Sequence, residues 1–106
     1  MRDDVRAYGD IHGLSPEAFE QIKHSIPFPQ VRYENRALHV DHEGTYIDVE
    51  GFLETVVQLL DEDGWGEVDY LDHLGQELIR YRLRKGGYDS ETRPFSAIGT
   101  PEMRGL

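Results

Sequence analysis

The 106-residue chain, 38% hydrophobic and 10% aromatic, is sized for one small domain and is too apolar for a disordered acidic tail. It has no cysteine, which excludes disulfides, thiolate metal sites and cysteine nucleophiles. No stretch approaches the ~18 apolar residues of a membrane span or carries a signal-peptide core, so a soluble, cytoplasmic protein is expected. The formal charge of −10 is a block, because residues 37–79 hold 12 carboxylates and no lysine or arginine; such a field repels nucleic-acid phosphates and anionic membranes and favours encounter with a basic surface.

In chain order, residues 1–13 read as an N-terminal arm, with Val5 to Tyr8 as a short edge strand at most. Leu14-Ser15-Pro16-Glu17 is a helix start, with Ser15 as cap and Pro16 in the first helical position. Phe19, Ile22 and Ile26 recur at helical spacing until Pro27 and Pro29 end the run. Leu38 and Val40, then Ile47 and Val49, alternate on either side of Gly44 and predict a β-hairpin with its turn there.

Asp48 then caps a second helix expected to run to about Asp63, its buried stripe being Leu53, Val56, Val57 and Leu60 and its stop Gly64. On that reading Asp61, Glu62 and Asp63 oppose the helix dipole, where cations are favoured by roughly 0.3–1 kcal/mol each. Beyond Trp65, two further alternating runs flank Gly75 as a second hairpin, with Ile79, Tyr81 and Leu83 on one face of the last strand and Arg80, Arg82 and Arg84 on the other. From Gly86 the apolar periodicity is lost, and residues 86–106 read as a flexible or partner-ordered tail.

The expected fold is therefore α+β: a two-layer sandwich of αββαββ order over residues 14–85, with a four-stranded antiparallel sheet and both helices on one face. The open face should present His39, Asp41, Tyr46, Asp48, Asp69, Leu71 and His73 with the three arginines.

Motifs for chemistry are sparse. Gly9-Asp10-Ile11-His12-Gly13 resembles the first metal-binding motif of the calcineurin-like metallophosphoesterases, which would make Asp10 and His12 metal ligands. The resemblance covers five residues, the family's later motifs have no counterpart and the chain is too short for that fold, so the string is read as a loop before the helix cap. A looser cluster of His39, Asp41, His42, Asp72 and His73 has competent ligand chemistry without ligand spacing. The segment beginning at Asp61 fails the calcium-loop pattern, with glycine fourth rather than sixth. No nucleophile elbow or phosphate-cradling loop occurs. No catalytic residue, cofactor or metal is assigned.

The leading expectation is a non-enzymatic acidic binding protein that engages a basic protein partner, as inhibitors, immunity proteins, antitoxins and mimics of nucleic-acid charge do. Direct nucleic-acid or membrane binding is not expected, and either a monomer or a homodimer is compatible. The contact would be Asp61, Glu62, Asp63, Trp65 and Glu67, with Tyr46, Arg80, Arg82 and Arg84 as further partner-binding residues. The alternatives are an accessory or structural subunit docking through its open sheet face and tail, and, third, a small metal-dependent enzyme.

Overall fold

The structure, a computed structural model, describes residues 5–94. The order of elements is β1 (Val5–Leu14), α1 (Pro16–Ile22), β2 (Gln30–Glu34), β3 (Ala37–Gly44), α2 (Val49–Leu59), β4 (Leu60–Asp72), β5 (Glu77–Arg84) and β6 (Gly87–Pro94). The class is α+β as the pattern implied, but the antiparallel sheet has six strands in the order β2-β3-β1-β4-β5-β6.

The two added strands come from the segments read as arm and tail. The segment read as an N-terminal arm, with a short edge strand at Val5 to Tyr8 at most, is instead an interior strand, β1 being bonded to β3 on one side and β4 on the other. Its Val5, Ala7 and Ile11 are buried while Arg6, Tyr8, Asp10 and His12 face the other way. The Gly-Asp-Ile-His-Gly string is thus strand, not loop. At the opposite end of the chain Gly87–Pro94 pairs with β5 as an edge strand, and the remainder of the expected tail lies outside the described residues.

The first hairpin also differs. β2 and β3 are joined at Asn35 and Arg36, both at positive φ (52° and 61°), the twist that suits a two-residue hairpin turn. Gly44 instead ends β3 ahead of α2. The second hairpin stands as read, with β4 and β5 paired from Trp65↔Arg84 to Asp72↔Glu77 across residues 73–76.

Both helices start where the caps predict. The Ser15 hydroxyl accepts from the Ala18 amide at 3.1 Å, and the Asp48 carboxylate accepts from Gly51 at 3.0 Å. α1 stops at Ile22, and α2 stops at Leu59 rather than Asp63. α2 ends early because its last turn is closed by partners distant in sequence. Leu60 turns extended to pair with Leu14, and the helix's last carbonyls are taken from outside: Gly86 N–H donates to Val57 O at 2.9 Å and the Lys85 ammonium to Gln58 O at 2.8 Å. The dipole therefore has its cation, supplied by the β5–β6 turn. Asp61, Glu62 and Asp63 are strand residues and oppose nothing.

One core joins the layers. Ile22 of α1 and Phe52, Leu53, Val56 and Val57 of α2 pack with Ile11, Leu38, Val40, Val68, Tyr81 and Leu83 from the helix-facing side of the sheet. The close approach of β1 to β4 depends on Gly9, where a Cβ would lie 2.3 Å from the Glu67 carbonyl oxygen and 2.7 Å from Val68 Cα. Gly9→Ala is expected to destabilise by about 1–3 kcal/mol through overpacking. Gly87→Ala, whose Cβ would meet only Arg84 at 3.6 Å, should leave the urea midpoint nearly unchanged; chemical denaturation of the two variants checks the contrast.

Candidate functional site

Because both helices cover one side, the sheet's other face must resolve its own polarity. Strand register sets it out in rows. One row runs Arg32, His39, Asp10, Glu67, Arg82, Asp89, and the next runs Gln30, Asp41, Tyr8, Asp69, Arg80, Glu91. From β4 to β6 the neighbours across strands alternate in sign, Glu67–Arg82–Asp89 and Asp69–Arg80–Glu91, the arrangement that stabilises sheet pairs, whereas Asp10 and Glu67 face each other with like charge. Arg80 grips Asp69 with two bonds of 2.8 and 2.9 Å, leaving that carboxylate 8% exposed; the pairing holds the guanidinium above its ordinary range. Arg82 reaches Glu67 at 3.5 Å and Glu91 at 3.6 Å, and Arg84 meets Asp89 at 3.0 Å. Arg6 forks onto Asp41 at 3.2 and 3.3 Å and lies 5.0 Å from the Tyr8 ring centroid.

Tyr8, 37% exposed, stands at the middle of this face. Shallow depressions surround it, the larger of about 370 Å³ between Tyr8, Asp10, Gln30, Arg32, His39 and Asp41. Within it Asp10 and His39 share a hydrogen bond. Asp10 and His12 are not joined in a ligand set: His12 stacks on Trp65, with ring centroids 4.4 Å apart at 19°. Among the described residues, no three of His, Cys, Asp or Glu converge in a geometry that could hold a metal ion.

The residues singled out for partner binding divide into three groups. Arg80, Arg82, Arg84 and Glu67 lie together on the open face, engaged with one another or with neighbouring carboxylates. Asp61, Glu62, Asp63 and Trp65 sit in an irregular stretch of β4, where the pairing passes from His12↔Trp65 to Leu14↔Leu60, so that two steps of β1 face five of β4. Gly13, at φ +86°, turns β1 there and brings Leu14 into the core. Asp61 is held by Arg36 at 2.5 Å, but Glu62 and Asp63 are exposed with no basic partner among the described residues. Trp65 is 56% exposed.

Tyr46 is the third case and corrects the expected face. It lies on the helix side, 72% exposed, with its ring edge-on to Tyr70 at 6.0 Å. Asp48 likewise serves as the α2 cap and His73 belongs to the β4–β5 turn, whereas His39, Asp41, Asp69 and Leu71 do occupy the open face.

Sequence reasoning missed Tyr8, Asp10 and His12 as members of the face. The signal was the alternation Val5, Ala7, Gly9, Ile11, which the glycine interrupts. Tyr70 was also missed.

Comparison with family models, with curated proteins and with solved structures found no match.

Burial pushes the Tyr70 phenol up to about 12 and, together with the Glu50 carboxylate, raises Tyr81 further. A phenol whose folded-state pKa is raised favours the neutral form. Its contribution to stability is complete below the unfolded value near 10 and is lost as pH rises through the folded value. Tyrosinate absorbance should accordingly show a late component that appears together with loss of near-ultraviolet circular dichroism between about pH 10 and 12. That component should shrink in Tyr70→Phe.

Proposed function

We propose that the protein is a non-enzymatic binding protein that offers an acidic surface to a basic protein partner, in the manner of an inhibitor, immunity protein, antitoxin or mimic of nucleic-acid charge. The observation that carries the reading is the irregular stretch of β4. On the open face nearly every carboxylate beside an arginine is paired with it, while Glu62 and Asp63 are exposed without a cation and stand beside an exposed tryptophan. An exposed indole flanked by unneutralised carboxylates is the composition of an interface anchor with electrostatic steering around it. The irregularity that places them also carries glycines in close contact, since a Cβ on Gly13 would lie 2.7 Å from Gly64 Cα.

Within this reading Glu62, Asp63 and Trp65 form the centre of the contact. Asp61 and Glu67 are engaged with Arg36, Arg80 and Arg82 and serve to fix the surface. The arginine row Arg80, Arg82 and Arg84 is largely neutralised within the sheet, which argues against that face as the main point of attack for an acidic partner. Among the described residues, no helix is long and apolar enough to cross a membrane.

Affinity capture from native lysate with low-salt and high-salt elution tests this. A basic protein should be retained at low salt and released at high salt, and the double charge reversal Glu62→Lys/Asp63→Lys should weaken capture by at least about tenfold. Trp65→Ala should cost about 2 kcal/mol or more of binding with less than ~1 kcal/mol of folding stability, because the side chain is mostly in solvent. Capture that is indifferent to salt and to both variants would remove the reading.

A further inference from the structure

A second acidic and aromatic feature lies on the other side of the sheet, where α2 leaves part of β4 and β5 uncovered. A cleft of about 160 Å³ is lined by Tyr46, Glu50, Tyr70, Ile79 and Tyr81 among others, and no basic side chain lines it. Tyr46 forms its outer wall, 72% exposed. The Tyr81 hydroxyl donates to Glu50 Oε2 at 3.0 Å, which orients the carboxylate and leaves Oε1 without a partner among the described residues. Tyr70 is 6% exposed and lines the same cleft, yet its hydroxyl makes no hydrogen bond among the described residues.

The Tyr70 ring is buried, but its hydroxyl oxygen keeps contact with solvent at the cleft, where it is available to a ligand. Here the unpartnered oxygen is accompanied by a free carboxylate oxygen and the ring of Tyr46. Those three groups accept from, or attract, a cation, and an ammonium offers three N–H donors with no acceptor of its own. Glu54 lies one helical turn beyond Glu50 on the same face of α2, and Asp48 caps that helix at its near end, so the surrounding field has the same sign.

We propose that this cleft holds a cationic side chain, a lysine or arginine, of a basic protein partner. The inference deepens the function proposed above and rests on it only for the partner's basic character; it is independent of the contact at Glu62, Asp63 and Trp65.

The test needs no natural partner. An N-acetylated, C-amidated tetralysine peptide and its tetraarginine counterpart are titrated into the protein while aromatic carbon–proton resonances are followed by NMR. Saturable shifts of the Tyr46 and Tyr70 rings are expected with at least one of them. Tyr46→Ala and Glu50→Gln should each weaken binding by about fivefold or more, and tetralysine with every ammonium acetylated should not bind. Glu62→Gln/Asp63→Asn should leave the affinity within about twofold, the two features being independent. Affinity unchanged in Tyr46→Ala, or equal binding of the acetylated peptide, would overturn the assignment. Tyr46 is a surface residue, so its variant remains informative even if Glu50→Gln disturbs Tyr81. Loss of the titration with salt-sensitive capture intact removes the cleft alone; a working titration without capture of any basic protein removes the function proposed above and keeps the cleft as a cation site.

Discussion

Everything in the sheet is registered on β1. It is bonded on both edges, it sends Val5, Ala7 and Ile11 under the helices, and it sends Arg6, Tyr8, Asp10 and His12 to the open face. A strand in that position cannot slip by one residue without exchanging an apolar set for a charged one. Its glycines matter for a different reason. Gly9 lets β4 approach, and Gly13 ends the regular pairing, so that Leu14 enters the core and the opposite strand is left with residues to spare. Those spare residues are the acids beside Trp65. The proposed contact is therefore a consequence of how the central strand terminates, rather than an appended loop.

The open face illustrates how a one-sided sandwich manages a polar surface. Exposed ion pairs are individually weak, about 0–1 kcal/mol each. Set in cross-strand rows they do something else: Asp69 is covered by Arg80, Arg82 bridges β4 and β6, and Arg84 ties to β6 across its own turn. The edge strand β6, whose residues are mostly exposed, is thereby tied to the sheet through side chains as well as its backbone ladder. The same turn that links β5 and β6 closes the end of α2 through Lys85 and Gly86. Loss of β6 would thus be felt at the helix terminus.

What the sequence disclosed and what it concealed follow from the range of the interactions involved. Ser15 and Asp48 act over three residues, and both caps were legible. The alternation of Ile79, Tyr81 and Leu83 against Arg80, Arg82 and Arg84 is also local, and the structure places them on opposite faces as read. The end of α2 was not legible because its decisive partners are Leu14, Lys85 and Gly86, far along the chain, whereas the helical period of Leu53, Val56, Val57 and Leu60 continues smoothly past the true stop. β1 was hidden by Gly9 and by a string with the look of a metal motif. The β2–β3 turn was hidden because Asn35 and Arg36 adopt positive φ without a glycine. Tyr46 was placed on the wrong face because the alternation assigned to it belongs to a strand that the chain does not form.

The acidic block itself has changed meaning. Of its carboxylates, Asp48 and Asp72 accept backbone amides in a cap and a turn, Asp41, Asp61, Glu67 and Asp69 pair with arginines from outside the block, and Glu50 accepts from Tyr81. These groups build the fold and are neutralised or engaged at short range. With screening over about 8 Å at physiological ionic strength, a partner senses chiefly what remains, and that remainder is uneven. Glu62 and Asp63 stand beside Trp65 at one end of the sheet, Glu54 stands one turn along α2 from Glu50, beside the cleft of Tyr46 and Tyr70, and Glu43 and Glu77 are exposed at the ends of β3 and β5. Net charge therefore locates neither surface. What sets the two proposed surfaces apart is unpaired charge beside an exposed aromatic side chain, Trp65 in one place and Tyr46 in the other.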